Sequence, residues 1–382
     1  MLKFALDTGI AGLAKKGEEL CGDVVEIKKG QNSTVVVLSD GLGSGVKANI
    51  LATLTSKIAA NLLAKGVSLP EVVHTITETL PVCQKRKIAY STFTVIQIDE
   101  EGGFQATQVD NPPVLLVRKS EIIPLTGKVK NIAGRNIMET SLKLSEGDII
   151  ILVSDGVTHA GIGALLPLGL GIDGLIKMLH NKINLLANAQ EIAEEILEHC
   201  ETFSALEPGD DITVVVLKLR KPVRGIMLSG PPLSEKDDSL VVEEFFTGER
   251  RRVVCGGTTA NIVARERKAD LVVDCFYDDP LIPPTASLPG VDLVTEGIIT
   301  LTKVVEFLEK GAVHLKNKKD GASRLLRWLL ECDEIELMVG LRVNPAHMKD
   351  DLPFHLGLRA TLLQRLAGLL SERGKRVHIK WV

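Results

Sequence analysis

Several common sequence signals are missing, and each absence removes a class of protein. The 382 residues include six cysteines with no CxxC pair, so neither a zinc site nor a disulfide framework is expected, and reduced thiols fit the cytoplasm. No apolar run reaches the roughly 18 residues that a membrane-spanning helix needs. The start, "MLKFALDTGIAGLAKKG", matches a signal peptide only weakly, because Asp7 interrupts its apolar stretch. We therefore expect a cytoplasmic protein with no membrane partner.

Two binding functions are also disfavoured. The 45 basic and 49 acidic residues give a net charge of −4, which argues against a nucleic-acid partner held by bulk charge. The loop after "VVVLSD" carries Gly41, Gly43 and Gly45, a GxGxG pattern and not GxGxxG. A dinucleotide site would also need an acidic residue about 20 positions further on, and residues 58–64 contain none. No GxxxxGK[ST] motif occurs, so nucleotide binding at this loop is not expected.

The chain is long enough for two or three domains, and its composition changes near one junction. Residues 217–239 contain three prolines, two glycines and a charged stretch that together indicate a linker. We place the boundary at about residue 222, which gives domains of residues 1–221 and 222–382.

The two halves have different patterns. The first half groups its strands and pairs its helices, which favours antiparallel sheets layered with helices, an α+β fold. Its predicted strands cover residues 34–40, 92–99, 103–110, 113–119, 148–155 and 211–219, with a hairpin at 101–103, and its predicted helices cover 46–64, 70–84, 172–186 and 189–203. In the second half strands and helices alternate, which predicts a smaller α/β domain with some parallel pairing. "DLVVDCFY" reads as one of its strands.

Aspartates occur at the ends of several predicted strands. The set comprises Asp23, Asp40, Asp155 and the pair Asp210–Asp211. Carboxylate oxygens are hard ligands that suit Mg²⁺ or Mn²⁺, and a strand end is a rigid mount for a short side chain. Any one Asp-Gly after a strand is more often a turn. The whole set is less ordinary, because clustered carboxylates repel unless cations neutralise them.

The motifs that contain these aspartates resemble those of a known family. "CGD" (21–23), "SDGLGSG" (39–45), "SDGVT" (154–158) and "GDDIT" (209–213) are similar, in order and spacing, to the motifs of the protein phosphatase 2C superfamily. Within it they resemble bacterial SpoIIE-type serine/threonine phosphatases. The resemblance covers about residues 1–220 and implies a four-layer α-β-β-α sandwich. It also implies a bacterial signalling enzyme that hydrolyses phosphoserine or phosphothreonine in a phosphoprotein, with a water activated by two Mn²⁺ or Mg²⁺ ions.

The resemblance assigns roles to individual positions. Asp40 and Asp155 would be the catalytic carboxylates, and Asp211 would support the site without binding metal. The implied metal ligands are Asp23, Asp40, the Gly41 carbonyl, Asp155 and Asp210.

The sequence departs from the wider superfamily at two points. Leu42 occupies a place where many eukaryotic members have a histidine, and no arginine before Asp23 corresponds to their phosphate-binding residue. The proton donor for the leaving group is therefore unassigned. His159 lies near the third motif and is either part of the chemistry or a bystander.

We recognise no family in the second half, and its default interpretation is a regulatory or ligand-sensing domain. A turn of Gly256, Gly257, Thr258 and Thr259 before a predicted helix could bind an anion, or it could be a glycine turn with an ordinary threonine cap. A second ligand site could form from Asp274, Asp278, Asp279 and Glu296. A small-molecule or anion ligand and a homodimer are left open. So are two alternatives for the whole chain: a non-catalytic sensor or scaffold, and a regulator of an activity in the second half.

Overall fold

The computed structural model of the protein describes residues 2–30, 33–79, 91–132, 135–274, 281–311, 318–342 and 352–382. By their internal contacts these residues form two compact units, Leu2–Lys221 and Pro222–Val382. Among the described helices, none combines the length and the apolar character that crossing a bilayer requires.

The first unit contains eleven strands and five helices in its described part. The strands are β1 (Ala5–Leu13), β2 (Asp23–Lys29), β3 (Ser33–Gly41), β4 (Ser91–Asp99), β5 (Gly103–Val109), β6 (Leu115–Arg118), β7 (Glu121–Pro124), β8 (Lys128–Ile132), β9 (Arg135–Lys143), β10 (Ile149–Val153) and β11 (Ile212–Arg220). The helices are α1 (Gly45–Ala64), α2 (Leu69–Thr79), α3 (Asp155–Thr158), α4 (Gly171–Asn181) and α5 (Ala189–Phe203).

The first unit is a four-layer α-β-β-α sandwich, as the family resemblance implies. One antiparallel sheet has the order β2-β3-β4-β5-β9-β8 and the other the order β1-β11-β10-β6-β7. Helices α1 and α2 cover the first sheet, and α4 and α5 cover the second. A third apolar core fills the space between the sheets.

Strand β3 shows why this sequence forms a buried central strand. Its residues Val35, Val36, Val37 and Leu38 are all fully buried. Successive side chains of a strand point to opposite faces, so Val35 and Val37 join the helix-covered core while Val36 and Leu38 join the core between the sheets. A continuous β-branched run is therefore what a strand between two apolar layers needs.

The second unit is built on one mixed, seven-stranded sheet. Its strands are β12 (Arg224–Ser229), β13 (Arg251–Cys255), β14 (Val272–Val273), β15 (Ala286–Leu288), β16 (Val291–Thr295), β17 (Glu334–Val339) and β18 (Arg376–Trp381). Its α-helices are α6 (Asp238–Phe246), α7 (Gly257–Arg267), α8 (Ile298–Glu309), α9 (Gly321–Glu331) and α10 (Leu352–Glu372). The order β14-β15-β16-β13-β12-β17-β18 is parallel from β16 to β18 and antiparallel at the β14 edge. Helices α6 and α7 cover one face and α8, α9 and α10 the other.

Some local features differ from the predictions or were not predicted. The expected linker at 217–239 contains the central strand β12, whose Ile226, Met227 and Leu228 are buried, and the start of α6. The apolar start of the chain is the strand β1, which pairs with β11. In "DLVVDCFY" the described residues form only the two-residue edge strand β14, and its Val272 and Val273 are exposed. Residues 275–280 lie outside the described residues. The predicted helix 70–84 is observed as α2 up to Thr79, and its last residues also lie outside them.

Candidate metal centre

Asp23 and Asp40 lie directly opposite each other on neighbouring antiparallel strands. Asp23 begins β2, and the strand register pairs it with Asp40 near the end of β3. Alternation places both residues on the face that contributes Val36 and Leu38 to the core between the sheets. The two carboxylates therefore extend an apolar row at the open end of that core.

The opposite sheet brings its polar residues to the same end. Ser154 follows β10 and Asp211 precedes β11, and the Ser154 hydroxyl accepts a 2.9 Å hydrogen bond from the Thr213 amide. Asp155 begins the short helix α3 immediately after Ser154. The edges of two sheets thus bring together motifs that are far apart along the chain.

Glycines beside the aspartates permit close backbone approach. A Cβ on Gly41 would collide with the backbone carbonyl of Ala48 in α1, and a Cβ on Gly156 would collide with the carbonyl of Asp211. Neither glycine has a positive φ. Their role is therefore to leave room for neighbouring backbone, and not to allow a left-handed turn.

The carboxyl groups perturb one another strongly. Burial raises the pKa of Asp23 to about 7, with the charges of Asp211 and Asp155 adding to the shift and the Ser154 and Thr213 hydroxyls opposing it. Burial also raises the pKa of Asp40 to about 9, helped by the charges of Asp23, Asp155 and Asp210.

Asp210 shows the same trend at lower burial. Its pKa is raised, again chiefly by desolvation, while the nearby charges of Lys15 and His159 act in the opposite direction. Asp40 and Asp155 are close enough to share a hydrogen bond when one of them is protonated. Carboxyls from both sheets therefore form one electrostatic cluster.

The donor set suits divalent cations. Asp23 is only 7% exposed, and neither of its carboxylate oxygens has a hydrogen-bond partner of ordinary geometry in the described structure. Leaving such oxygens unpaired is costly, and a cation would compensate for it. Nearby, ligand atoms of Asp155, His159 and Asp210 all lie within 4.8 Å of one another. The residues present thus fit a centre for hard cations with an added imidazole.

The predicted positions fall into one neighbourhood. The positions brought together there are Asp23, Asp40, Gly41, Asp155, Asp210 and Asp211. Asp211 is 4% exposed, and its Oδ1 accepts a 3.0 Å hydrogen bond from the Lys15 amide. The Asp211 amide donates a 3.0 Å hydrogen bond to Asp210 Oδ1, and the Asp211 carboxylate lies beside Gly22.

Two nearby residues were not assigned from the sequence. His159 Nδ1 lies 3.8 Å from Asp155 Oδ2. Their i, i+4 spacing after a strand was a usable signal, because that spacing places both side chains on one side of a helical turn. Lys15 follows β1 and supplies a positive charge near Asp210. Nothing local in "AKKG" pointed to it, since its position depends on the pairing of β1 with β11.

The acidic residues proposed for the second half have other partners. Asp274 accepts a hydrogen bond from the Thr285 hydroxyl and lies 3.7 Å from Arg324. Glu296 accepts a 3.0 Å hydrogen bond from the Ile299 amide at the start of α8. The other two, Asp278 and Asp279, lie outside the described residues.

Comparison with known proteins gives the fold of the first unit and the family of the chain. A solved structure with a similar fold is that of the PP2C phosphatase domain and a fragment of the regulatory domain of the cell fate determinant SpoIIE from Bacillus subtilis. It aligns with a TM-score of 0.51 and 22% identity over 58% of this chain and 65% of that one. The first unit thus has the fold of a PP2C-type phosphatase. Residues 30–220, half of the chain, match the family Stage II sporulation protein E (SpoIIE), and the chain belongs to this family.

Two curated relatives support the assignment. Stage II sporulation protein E of Bacillus subtilis is 26% identical over 221 residues, which cover 56% of this chain but 26% of that protein. Phosphoserine phosphatase RsbU of Bacillus subtilis is 22% identical over 225 residues, 56% of this chain and 63% of that protein. The chain therefore spans only part of the length of both relatives.

Proposed function

We propose that the protein is a metal-dependent phosphatase that hydrolyses phosphoserine or phosphothreonine in a phosphoprotein. The observation that carries this proposal is the Asp23 carboxylate, buried without a hydrogen bond of ordinary geometry opposite Asp40 at the open end of the inter-sheet core. A buried carboxylate at that place is costly, and a bound cation would offset the cost.

The donors belong to two groups. Asp23, Asp40 and the Gly41 carbonyl would hold one Mn²⁺ or Mg²⁺ ion, and Asp155 and Asp210 would complete a second. When bound, such ions act as Lewis acids that make water a better nucleophile and offset the charge of phosphate oxygens.

The remaining residues position this set. Asp211 ties the end of β1 to the start of β11 through the Lys15 amide, so it fixes the loop that carries Asp210. Lys15 places a cation beside a site that is otherwise acidic, where an anionic substrate must approach. Asp40 and Asp155 hold their geometry from opposite sheets, and this arrangement keeps the reacting centre rigid.

The relatives favour this chemistry. One curated relative is named a phosphoserine phosphatase, and the matched family region contains three of the four acidic motifs. A non-catalytic sensor would have no need to preserve the complete acidic set. The second unit is proposed to regulate the first. The signalling pathway, the cytoplasmic location and a homodimer stay predictions.

A direct assay tests the proposal. The full chain should hydrolyse p-nitrophenyl phosphate and phosphoserine or phosphothreonine peptides with Mn²⁺ or Mg²⁺, and should lose turnover in EDTA until metal is restored. Calorimetry should show that Mn²⁺ binds to the protein in the absence of substrate. Metal binding without hydrolysis of any of these substrates would favour the sensor, and turnover undiminished by EDTA would reject the metal mechanism.

A further inference from the structure

The strand order of the second unit reverses at the centre of its parallel sheet. In chain order the strands β16-β13-β12-β17-β18 read third, second, first, fourth, fifth. The helices after β12 and β13 cover one face, and those after β16 and β17 cover the other. Such sheets have a crevice at the carboxyl ends of the strands where the order reverses, here between β12 and β17, and ligands bind in such crevices.

A helix N-terminus lies at this edge. Helix α7 follows β13 directly, and its N-cap is Gly256, with φ 125° and no side-chain cap. The next residue, Gly257, is exposed, and a Cβ built on it would meet no atom within 4 Å. Gly257 therefore presents its backbone to solvent at the start of α7 without a side chain in front of it, an arrangement that favours anions.

A half-buried guanidinium lies at the same edge. Arg359 of α10 lies against Gly230, just after β12, where a Cβ would collide with the guanidinium. Its charge acts on Cys255, the residue before Gly256, and burial lowers the pKa of Arg359. No carboxylate of the described residues lies within ion-pair distance of it, although a buried charge ordinarily has a partner.

Among the described residues, the carboxylate that acts on Arg359 is that of Glu296, and it has another role. Glu296 interacts with Arg359 electrostatically, but its Oε2 accepts the Ile299 amide at the start of α8. A carboxylate thus already occupies the N-terminus of α8, whereas that of α7 has none.

A buried hydroxyl, that of Ser229, also lies at this edge of the sheet. Ser229 is the last residue of β12 and is 1% exposed, and its Oγ has no hydrogen bond of ordinary geometry in the described structure, although it is close enough to the Cys255 thiol to lower the pKa of that group. It lies on the strand face of Met227, covered by α8 to α10, beside the Cys255 thiol. Ser229 is followed by Gly230, against which Arg359 lies, and both Ser229 and Arg359 act on Cys255, so the hydroxyl lies at the same edge of the sheet as that guanidinium.

We propose that this edge binds a small molecule through a phosphate group. The first turn of α7 would donate backbone amides, Arg359 a charge-assisted hydrogen bond, and Ser229 a hydrogen bond from its hydroxyl. A phosphate fits this set because it offers several acceptor oxygens and a negative charge to converging donors. The ligand is either a free phosphate or a nucleotide, which share this chemistry.

The test uses the full chain in EDTA. Without metal the carboxylates of the first unit repel anions, so phosphate binding then reports on the second unit. Inorganic phosphate, pyrophosphate, ADP and NAD are titrated by calorimetry, and we expect one ligand per chain. Binding of the inorganic ions alone identifies a simple anion site, and tighter binding of ADP or NAD identifies a nucleotide site. Arg359→Gln should weaken binding about tenfold, the scale of one charge-assisted contact.

A matched pair at Gly257 decides the result even if the Arg359 variant does not fold. Gly257→Asp has room for its side chain and adds a carboxylate that a helix N-terminus tolerates well, so the protein should fold and lose the ligand. Gly257→Ala adds only a methyl group and should keep binding within about twofold, since it leaves every amide in place. Binding of none of the four probes, or equal binding by Gly257→Asp and the wild type, would overturn the proposal.

Discussion

Asp23 and Asp40 are directly opposed across β2 and β3, and both carboxyls have a raised pKa. A cross-strand pair of like charges is unfavourable in a sheet, and burial makes it worse. The pair therefore destabilises the metal-free fold, and the proposed cations would offset that cost on binding.

Replacing one member of the cluster should separate turnover from stability. Asp40→Asn and Asp155→Asn should each lower turnover at least about a hundredfold, the scale of losing one electrostatic group in an active site. Without metal, Asp40→Asn should melt no lower than the wild type, because it relieves repulsion among buried carboxylates. The rise in Tm on adding Mn²⁺ should shrink in both variants. Asp173→Asn, at an exposed position in α4, is the control. Wild-type turnover in Asp40→Asn would show that Asp40 is only a structural residue at the end of β3.

The metal-free first unit should lose stability as the pH rises. A carboxyl with the ordinary value of 3.8 is ionised in the unfolded chain, whereas folded Asp23 and Asp40 hold protons up to about 7 and about 9. The folded state thus binds more protons, so the free energy of unfolding falls between about pH 4 and about pH 9. Denaturant titrations in EDTA should show this slope, and the double variant Asp23→Asn, Asp40→Asn should flatten it. Saturating Mn²⁺ should oppose the slope, because metal competes with protons. Stability that climbs with pH in EDTA would contradict the raised pKa values.

The glycine after Asp40 should be needed for packing. Gly41→Ala should destabilise the first unit by about 1–3 kcal/mol, because its methyl group must displace α1 at Ala48. The same displacement should reduce the Mn²⁺-induced rise in Tm. Gly209→Ala is the matched control next to the site, since a Cβ there meets nothing within 4 Å and its φ is not positive. Equal stability of the two variants would mean that α1 adapts without cost.

The imidazole of His159 should affect which metal binds. Imidazole suits Mn²⁺ better than Mg²⁺, which prefers oxygen ligands and water. If His159 assists Asp155 and Asp210, then His159→Ala should weaken Mn²⁺ binding about tenfold, or about 1.4 kcal/mol, and Mg²⁺ binding less. Calorimetry with each metal measures this difference, and His180→Ala, exposed on α4, serves as control. No change for either metal would leave His159 a bystander.

The boundary between the units should be sharp to within a few residues. A fragment of residues 222–382 should unfold cooperatively, while one of residues 230–382 should not, because it lacks the central strand β12. Circular dichroism with denaturant distinguishes the two outcomes. The fragment of residues 1–221 should keep its Mn²⁺-dependent melting. A cooperative transition in the shorter fragment would mean that β12 is dispensable.

The sequence predicted most of the first unit, because its strands carry buried β-branched runs and its helices carry clear periodicity. It failed at β12 because Pro222, Gly230 and two further prolines surround a buried segment of only a few residues. The aspartates could be located at strand ends, but alternation within single strands does not reveal which strands pair. The opposition of Asp23 to Asp40, and the approach of Asp155 from the other sheet, came from the register and from the family motifs. Lys15 was missed for the same reason.

Strand β12 also determines when the second unit can fold during synthesis. The first unit closes when β11 emerges and pairs with β1, and β12 follows after only three residues. Its neighbours are β13 and β17, and the ion pair between Arg224 and Glu334 spans 110 residues of chain. At ribosomal rates of about 5–20 residues per second, one edge of β12 waits for about 5–20 seconds without its partner. A nascent chain thus carries a finished phosphatase-like unit ahead of an apolar strand with an open edge, and that interval is when a chaperone or a second nascent chain has access to it.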